Sequence, residues 1–334
     1  MSIARMKKLS IIGLVSDREE LMEKLMSLGV VEITDQERKL SDSQWQEVIA
    51  CDVDEEAVSV YDSRIAKVSQ ALDVIEKYGT GKKALLYTKR PIALRSFRKV
   101  VEEEQGIEEK VALINSLSAR HAELSNAINK TEALKLSLEP WAGHDLPLEH
   151  QETKTTDLIL GVSPAAMDVV EFKNVLEEKA PGTAADLVHS DAEQHYLCVL
   201  CLKTERNAAD EVFRNYGFSK IQFGELTGTV SGNINALEKK TEELADEKGK
   251  IEDSIRSYEA DKQDLETLYD KLTILRDRAA IRQNLLVTSR TFYLDGWFPA
   301  RAAEKLSGLL TEMRCYYEME DPARDEETPV LYDV

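Results

Sequence analysis

The sequence predicts an α+β protein: two ferredoxin-like α/β lobes joined by a long antiparallel α-helical coiled-coil hairpin. Three observations predict it. A β-α-β pattern stands at each end of the chain, a doubled β-α-β-β-α-β pattern stands in the middle, and helical patterns with apolar residues three and four apart run between them.

At the amino end, Lys8 to Val15 has the near-continuous apolar character of a buried strand. Ser16 with Glu19 three residues on reads as a capping box. The helix Asp17 to Leu28 then presents Leu21, Leu25 and Leu28 on one face, Gly29 stops it, and Val30 to Ile33 forms a short strand. At the other end, Thr291 to Trp297 is a strand, and Pro299 sits where a helix would begin. Ala303, Leu306, Leu309, Leu310 and Met313 line that helix, and Cys315 to Met319 is the next strand.

The middle carries two more copies. Asp157 to Val162 is a strand, Ser163-Pro164 a cap with a first-turn proline, and Ala165 to Glu178 a helix. A strand from Ala185 to Ser190, a strand from Tyr196 to Leu202, a helix from Glu205 to Tyr216 and a strand from Phe218 to Phe223 follow. This succession is the split β-α-β, or ferredoxin-like, order.

The helical stretches come next. Val58, Tyr61, Ile65, Val68, Leu72 and Ile75 step by three and four. Val111, Ile114, Leu117, His121, Leu124 and Ile128 do the same, continuing to Leu134 and Leu138, where Pro140 ends the run. The return run takes Ile234, Leu237, Thr241, Leu244, Ile251, Ile255, Tyr258, Leu265, Tyr269 and Leu272, interrupted by Lys248 and Lys262. Heptads held this long predict a coiled coil. One arm goes out, the middle lobe folds and one arm returns from Ser231 to about Ser289, a path of about 85–90 Å at 1.5 Å per residue. The expected outline is a dumbbell, with both chain ends in one sheet. The predicted domains are 1–50 with 290–334, a lobe of two α/β halves; 51–140 with 230–289, the hairpin; and 141–229, the second ferredoxin-like lobe. Gly106 and Gly249 lie inside the helical runs, where glycine costs about 1 kcal/mol against alanine, so local bending is expected there.

Composition narrows the function. The 334 residues are 43% hydrophobic and 31% charged, but only 6% aromatic with 15 Gly, which suits long solvated helices better than a large sheet enzyme. A formal net charge of -19 argues against nucleic acid as a partner. Lys82-Lys83 with Lys89-Arg90 is the nearest basic cluster and reads as plain solvation. No secretory signal is expected at the start, and no run approaches the roughly 18 apolar residues of a membrane span. Cys51, Cys198, Cys201 and Cys315 are read as reduced cytosolic thiols.

The candidate chemistry is thin. Cys198-x-x-Cys201 has the look of half a zinc knuckle, but positions three apart on a strand face opposite ways, and no second Cys or His pair stands at ligand spacing. Gly79-Thr80-Gly81-Lys82-Lys83 suggests a phosphate loop, yet it follows a helix and lacks the Ser/Thr after its lysine, so a turn is expected. His121 falls in the heptad seam, His144 and His150 flank a proline-containing loop after Trp141, and His189 and His195 bracket a turn. No Ser/His/Asp or Cys/His set can be assembled. Glu102-Glu103-Glu104 reads as a solvated helix face. No catalytic, cofactor-binding or metal-binding residue is assigned.

Three strings carry a family resemblance: Met6-Lys7-Lys8-Leu9 opening the first strand, Leu28-Gly29-Val30-Val31-Glu32-Ile33 after the first helix, and Gly296-Trp297-Phe298-Pro299 after the coiled coil. In this order around the interposed hairpin, the chain resembles subunit I (subunit a) of the V-type/A-type rotary ATPases. The resemblance implies a non-catalytic stator part that resists torque during proton or sodium transport. It implies a terminal lobe near the membrane, at the cytoplasmic face. The peripheral-stalk subunits E and G are the implied partners, with the C/d component of the central stalk a further contact. In that family a multi-span membrane domain faces the rotor ring with an essential Arg. This chain stops at Pro329 to Val334, about where the first span is expected, so no residue is matched to that Arg. Two other readings fit the pattern: a coiled-coil adaptor unrelated to ion transport, favoured by a gene lacking a multi-span domain, and an enzyme binding a small ligand, favoured by a deep pocket with convergent polar groups.

Overall fold

The computed structural model describes residues 2–34, 50–51, 55–79, 94–149, 151–224, 226–323 and 326–333. It mixes helices with antiparallel sheets and divides into two compact units, residues 1–115 with 258–334 and residues 116–257. Along the chain come β1 (Ser2–Ile3), β2 (Met6–Leu14), α1 (Arg18–Leu28), β3 (Glu32–Ile33), β4 (Ala50–Cys51), α2 (Glu55–Tyr78), α3 (Leu94–Glu102) and α4 (Glu104–Leu138). They are followed by β5 (Thr156–Pro164), α5 (Val169–Lys179), β6 (Ala184–Ser190), β7 (Gln194–Leu202), α6 (Arg206–Asn215), β8 (Ser219–Lys220), α7 (Val230–Ser257) and α8 (Lys262–Ile281). Last come β9 (Leu286–Val287), β10 (Thr291–Pro299), α9 (Ala303–Glu312), β11 (Cys315–Glu320) and β12 (Tyr332–Asp333).

In the first unit the two ends of the chain share a sheet ordered β11-β2-β10-β9-β4, and β3 pairs with β10 beyond β9. Nine consecutive pairs, from Thr291↔Leu14 to Pro299↔Met6, zip β10 to β2. Leu9, Ile11, Phe292, Leu294 and Phe298 point to one face, where Leu21 and Leu25 of α1 and Leu306 and Leu310 of α9 cover them. Two terminal segments that are each too short to bury an apolar face alone thereby make one core.

Local expectations needed adjusting at three helix starts. Ser16 does not cap α1: its hydroxyl donates to Asp17 Oδ1 (2.8 Å), and a 3-10 turn over Val15–Asp17 leads into the helix. Pro299 ends β10 rather than starting a helix, and a second 3-10 turn precedes α9. In the middle, β5 runs on through Pro164, and Asp168 is the true cap of α5, accepting from the backbone N–H groups of Val170 (2.8 Å) and Glu171 (3.1 Å). A short acidic side chain satisfies two of the orphan donors of a first turn, which a proline ring cannot do.

The expected single outgoing arm is also divided. Asp62 pairs with Arg276 (3.4 Å) and Glu76 with Lys262 (2.7 Å), so α2 runs antiparallel to α8. Glu104 and Lys110 at the start of α4 reach Lys271 of α8 (2.5 Å) and Asp261 in the turn before it (2.6 Å), so the first turns of α4 run antiparallel to the start of α8. The return path breaks into a 3-10 turn at Tyr258–Asp261 and its helix ends at Ile281, short of Ser289; Leu286–Val287 is already strand. Gly106 lies in the first turn of α4, not in a helix interior, whereas Gly249 is well inside α7.

The second unit carries a four-stranded antiparallel sheet ordered β6-β7-β5-β8. Ile159, Leu197, Val199 and Cys201 face α5 and α6, packing on Phe172, Leu176, Val212 and Phe213. Leu160 and Tyr196 face the other way, onto Leu138 at the end of α4, Trp141 just after it and Val230 of α7. Numbering the strands of each β-α-β-β-α-β set one to four, both sheets place them in the order four-one-three-two: β11-β2-β10-β3 in the first unit and β8-β5-β7-β6 in the second.

Candidate functional site

The cysteine pair is split by the pleat. Cys201 is fully buried on the helix-covered face and accepts a contact from Thr183 Oγ1 (3.6 Å), while Cys198 packs on the opposite face with Tyr196 and Leu160. Burial, with the Asp186 carboxylate nearby, pushes the Cys198 thiol up to about 11, far from the thiolate that metal binding or nucleophilic attack requires. Among the described residues, no group of three or more His, Cys, Asp or Glu is placed to hold a metal ion.

Gly79 closes α2 through its N–H to Ile75 O (2.7 Å). The other residues of the expected turn, Thr80 to Lys83, lie outside the described residues, as do Lys89, Arg90 and His150. His121 meets Glu252 across the α4–α7 pair at 3.0 Å. His144 is only 6% exposed, its Nε2 has no hydrogen-bond partner, and burial holds its pKa below the ordinary value against a weaker pull from Asp145. The ring of His189 stands 5.7 Å from that of Tyr196.

His195 makes the arrangement nearest to catalytic chemistry, with Nδ1 2.6 Å from Ser190 Oγ. Its Nε2 lies 3.2 Å from the main-chain oxygen of Ala165. In the neutral ring, an Nε2–H donated to that carbonyl leaves Nδ1 to accept from the Ser190 hydroxyl. The pair closes a hairpin tip, where Asp191 accepts from the backbone N–H groups of Glu193 and Gln194 and from Tyr196, which holds its carboxyl below the usual range. The third position of a catalytic triad is thus filled by a main-chain carbonyl, and the cluster serves as a turn lock.

Glu104 departs from the solvated-face expectation. Burial alone would raise its carboxyl, but hydrogen bonds from Lys271 and Arg64 outweigh that and hold it below the ordinary carboxylate value. Its partners lie 167 and 40 residues away in sequence, so no local pattern announces the contact.

The remaining candidates are contact surfaces. In the first unit Ile12, Leu14 and Tyr316 lie exposed on the sheet face opposite α1 and α9. In the second unit an open groove of about 390 Å³ is lined by Leu134, Leu136, Pro140, Trp141, Tyr196 and Phe223 among others. The Trp141 ring meets Tyr196 and Phe223 edge-on at 5.5 and 5.7 Å, so its walls are braced rather than adaptable. The groove has one wall of aromatic rings and no convergent set of charged groups, which is the chemistry of apolar docking, not of bond making.

No family model matches the chain. Two curated relatives do, over essentially its whole length. A-type ATP synthase subunit I of Methanocaldococcus jannaschii is 23% identical across 100% of this chain. A-type ATP synthase subunit I of Methanothermobacter thermautotrophicus is 24% identical across 99%. The chain is a homologue of A-type ATP synthase subunit I. It spans about half the length of these relatives, 51% and 53%. Subunit I also supplies a fold neighbour: a crystal structure of the cytoplasmic N-terminal domain of subunit I, homologue of subunit a of V-ATPase, superposes with a TM-score of 0.51 at 17% identity, covering 94% of this chain and 99% of that one. At that identity the likeness carries the fold alone. Among the described residues of this subunit I homologue, no helix is long and apolar enough to cross a membrane.

Proposed function

We propose that this chain is a non-catalytic stator part of a V/A-type rotary ATPase, built of two ferredoxin-like lobes joined by a coiled-coil hairpin. It links peripheral stalks at the cytoplasmic face of the membrane to an ion-translocating, multi-pass domain. The observation that carries this reading is the full-length match to two subunits I, each about twice as long as the chain. The repeated four-one-three-two strand order supports the ferredoxin-like part. The open sheet face at Ile12 and Tyr316 and the groove at Trp141 supply what a mechanical link needs, which is apolar contact area without a reaction centre. The partners of this reading are the peripheral-stalk subunits E and G, with the C/d component of the central stalk a further contact and the rotor ring met through the membrane domain. The transported ion is a proton or sodium.

Titrating the whole chain with the E–G heterodimer of the same cell tests it. Saturable binding is expected. Ile12→Asp on the open sheet face, or Leu136→Asp at the groove, should weaken it, while charge reversal at Lys239 on α7 should not. No binding by the whole chain would overturn the assignment of E and G as partners.

A further inference from the structure

Within the second unit, α4 and α7 pair antiparallel through His121–Glu252 (3.0 Å) and Lys135–Glu238 (3.0 Å). Fourteen residues separate His121 from Lys135, and fourteen separate Glu238 from Glu252. Fourteen is two heptads, so the two contacts recur at the same heptad position on each helix, and the pairing keeps step over that length. In the first unit α2 and α8 repeat the spacing independently: fourteen residues from Asp62 to Glu76 face fourteen from Lys262 to Arg276.

A heptad seam has an inherent weakness. Sliding one helix by seven residues brings apolar positions against apolar positions again, so along the seam burial discriminates poorly between registers, and only the lobe end, where Leu138 of α4 and Val230 of α7 share a core, favours one. The polar positions are what differ. Slid seven residues one way, His121 meets Ala245, Lys135 meets Ser231, and Arg120, now bonded to Glu247 (2.9 Å), meets Lys240. Slid the other way, Lys135 meets Ala245, Arg120 meets Ser254, and His121 passes the end of α7 at Ser257. The position one heptad in from both contacts holds Ile128 on α4 and Ala245 on α7, so the His121 and Lys135 contacts stand two heptads apart and a single-heptad step restores neither partner.

We infer that His121–Glu252 and Lys135–Glu238, two heptads apart, together with Arg120–Glu247, form a register lock on the α4–α7 pair that excludes the one-heptad slips the apolar seam by itself permits. Each contact is partly solvated and contributes little to stability by itself. Their joint effect is on which register is populated. The inference stands without the stator reading, although a strut that passes load along its axis gains from helices that cannot slide.

The test places spin labels at exposed Asn129 and Lys250 in the whole chain, with the four native cysteines replaced by alanine, and measures the distance distribution by double electron–electron resonance. One narrow peak is expected. In the Glu238→Ala, Glu247→Ala, Glu252→Ala variant a second peak should appear, since a seven-residue slide moves one helix about 10 Å along the other. A single unchanged peak in that folded variant would overturn the lock. If circular dichroism shows the variant unfolded, the charge-exchanged chain decides: His121→Glu, Lys135→Glu, Glu238→Lys and Glu252→Lys place opposite charges across both contacts in the native register. A single peak at the native distance supports the lock, and a displaced or split distribution overturns it.

Discussion

Gly296 lies against the main chain of Glu32: a Cβ built on Gly296 would stand 2.7 Å from the Glu32 carbonyl oxygen. β10 and β3 are hydrogen-bonded neighbours at this point, with Gly296 opposite Ile33 and Trp297 opposite Glu32. The atom in the way belongs to backbone, so no side chain can swing aside. This gives the first residue of the Gly-Trp-Phe-Pro string a physical reason.

Gly296→Ala is therefore expected to destabilise the first unit by about 1–3 kcal/mol, the usual range for forcing a methyl group into a packed site. Urea unfolding should show a lower midpoint with an unchanged slope. A midpoint equal to that of the parent chain would mean that β3 can move away without cost.

Gly106 and Gly249 should respond unequally to alanine. Neither has an atom within 4 Å of an added Cβ, so alanine fits at both. Gly249 is interior to α7, and Gly249→Ala should stabilise by about 0.5–1 kcal/mol. Gly106 is the third residue of α4, where the helix has yet to close its first internal bonds, and Gly106→Ala should gain less. Thermal melts of the two single variants measure the difference, and an equal gain at both sites would contradict the helix start observed at Glu104.

His144 predicts a pH dependence of defined sign. Burial favours its neutral form, so the folded-state pKa lies below the ordinary 6.5. As pH falls below that ordinary value, the unfolded chain takes up the proton first. Stability contributed by neutral His144 is thus complete above about 6.5 and declines as pH drops towards the folded-state pKa. Comparing unfolding midpoints at pH 7.5 and 5.5, the loss on acidification should be smaller in His144→Phe than in the parent chain. An identical loss in both would show that His144 is not among the groups responsible.

The sequence by itself determined the local elements: strand, helix and strand at each end, the doubled pattern in the middle, and the long helices. These follow from periodicities of two and of three to four, which are properties of neighbouring residues and survive without knowledge of the fold. The glycine stop at Gly29 was legible for the same reason, because its left-handed conformation (φ 65°) is a local demand. Sequence also placed Cys198 and Cys201 on opposite sheet faces, a consequence of the pleat alone.

Only the tertiary structure decided how those pieces meet. That α2 and the start of α4 both lie along α8, where a single arm was expected, shows only in contacts such as Asp62 to Arg276 and Glu104 to Lys271, residues 214 and 167 apart. Whether Glu104 is solvated or bridged, whether Asp168 or Ser163 caps α5, and what Gly296 must leave room for are set by groups distant in sequence or by exact backbone direction. Local pattern constrains which face of an element is apolar. It carries no information on which of several apolar faces will cover it, because hydrophobic burial is non-directional and the choice is made by the geometry of the whole.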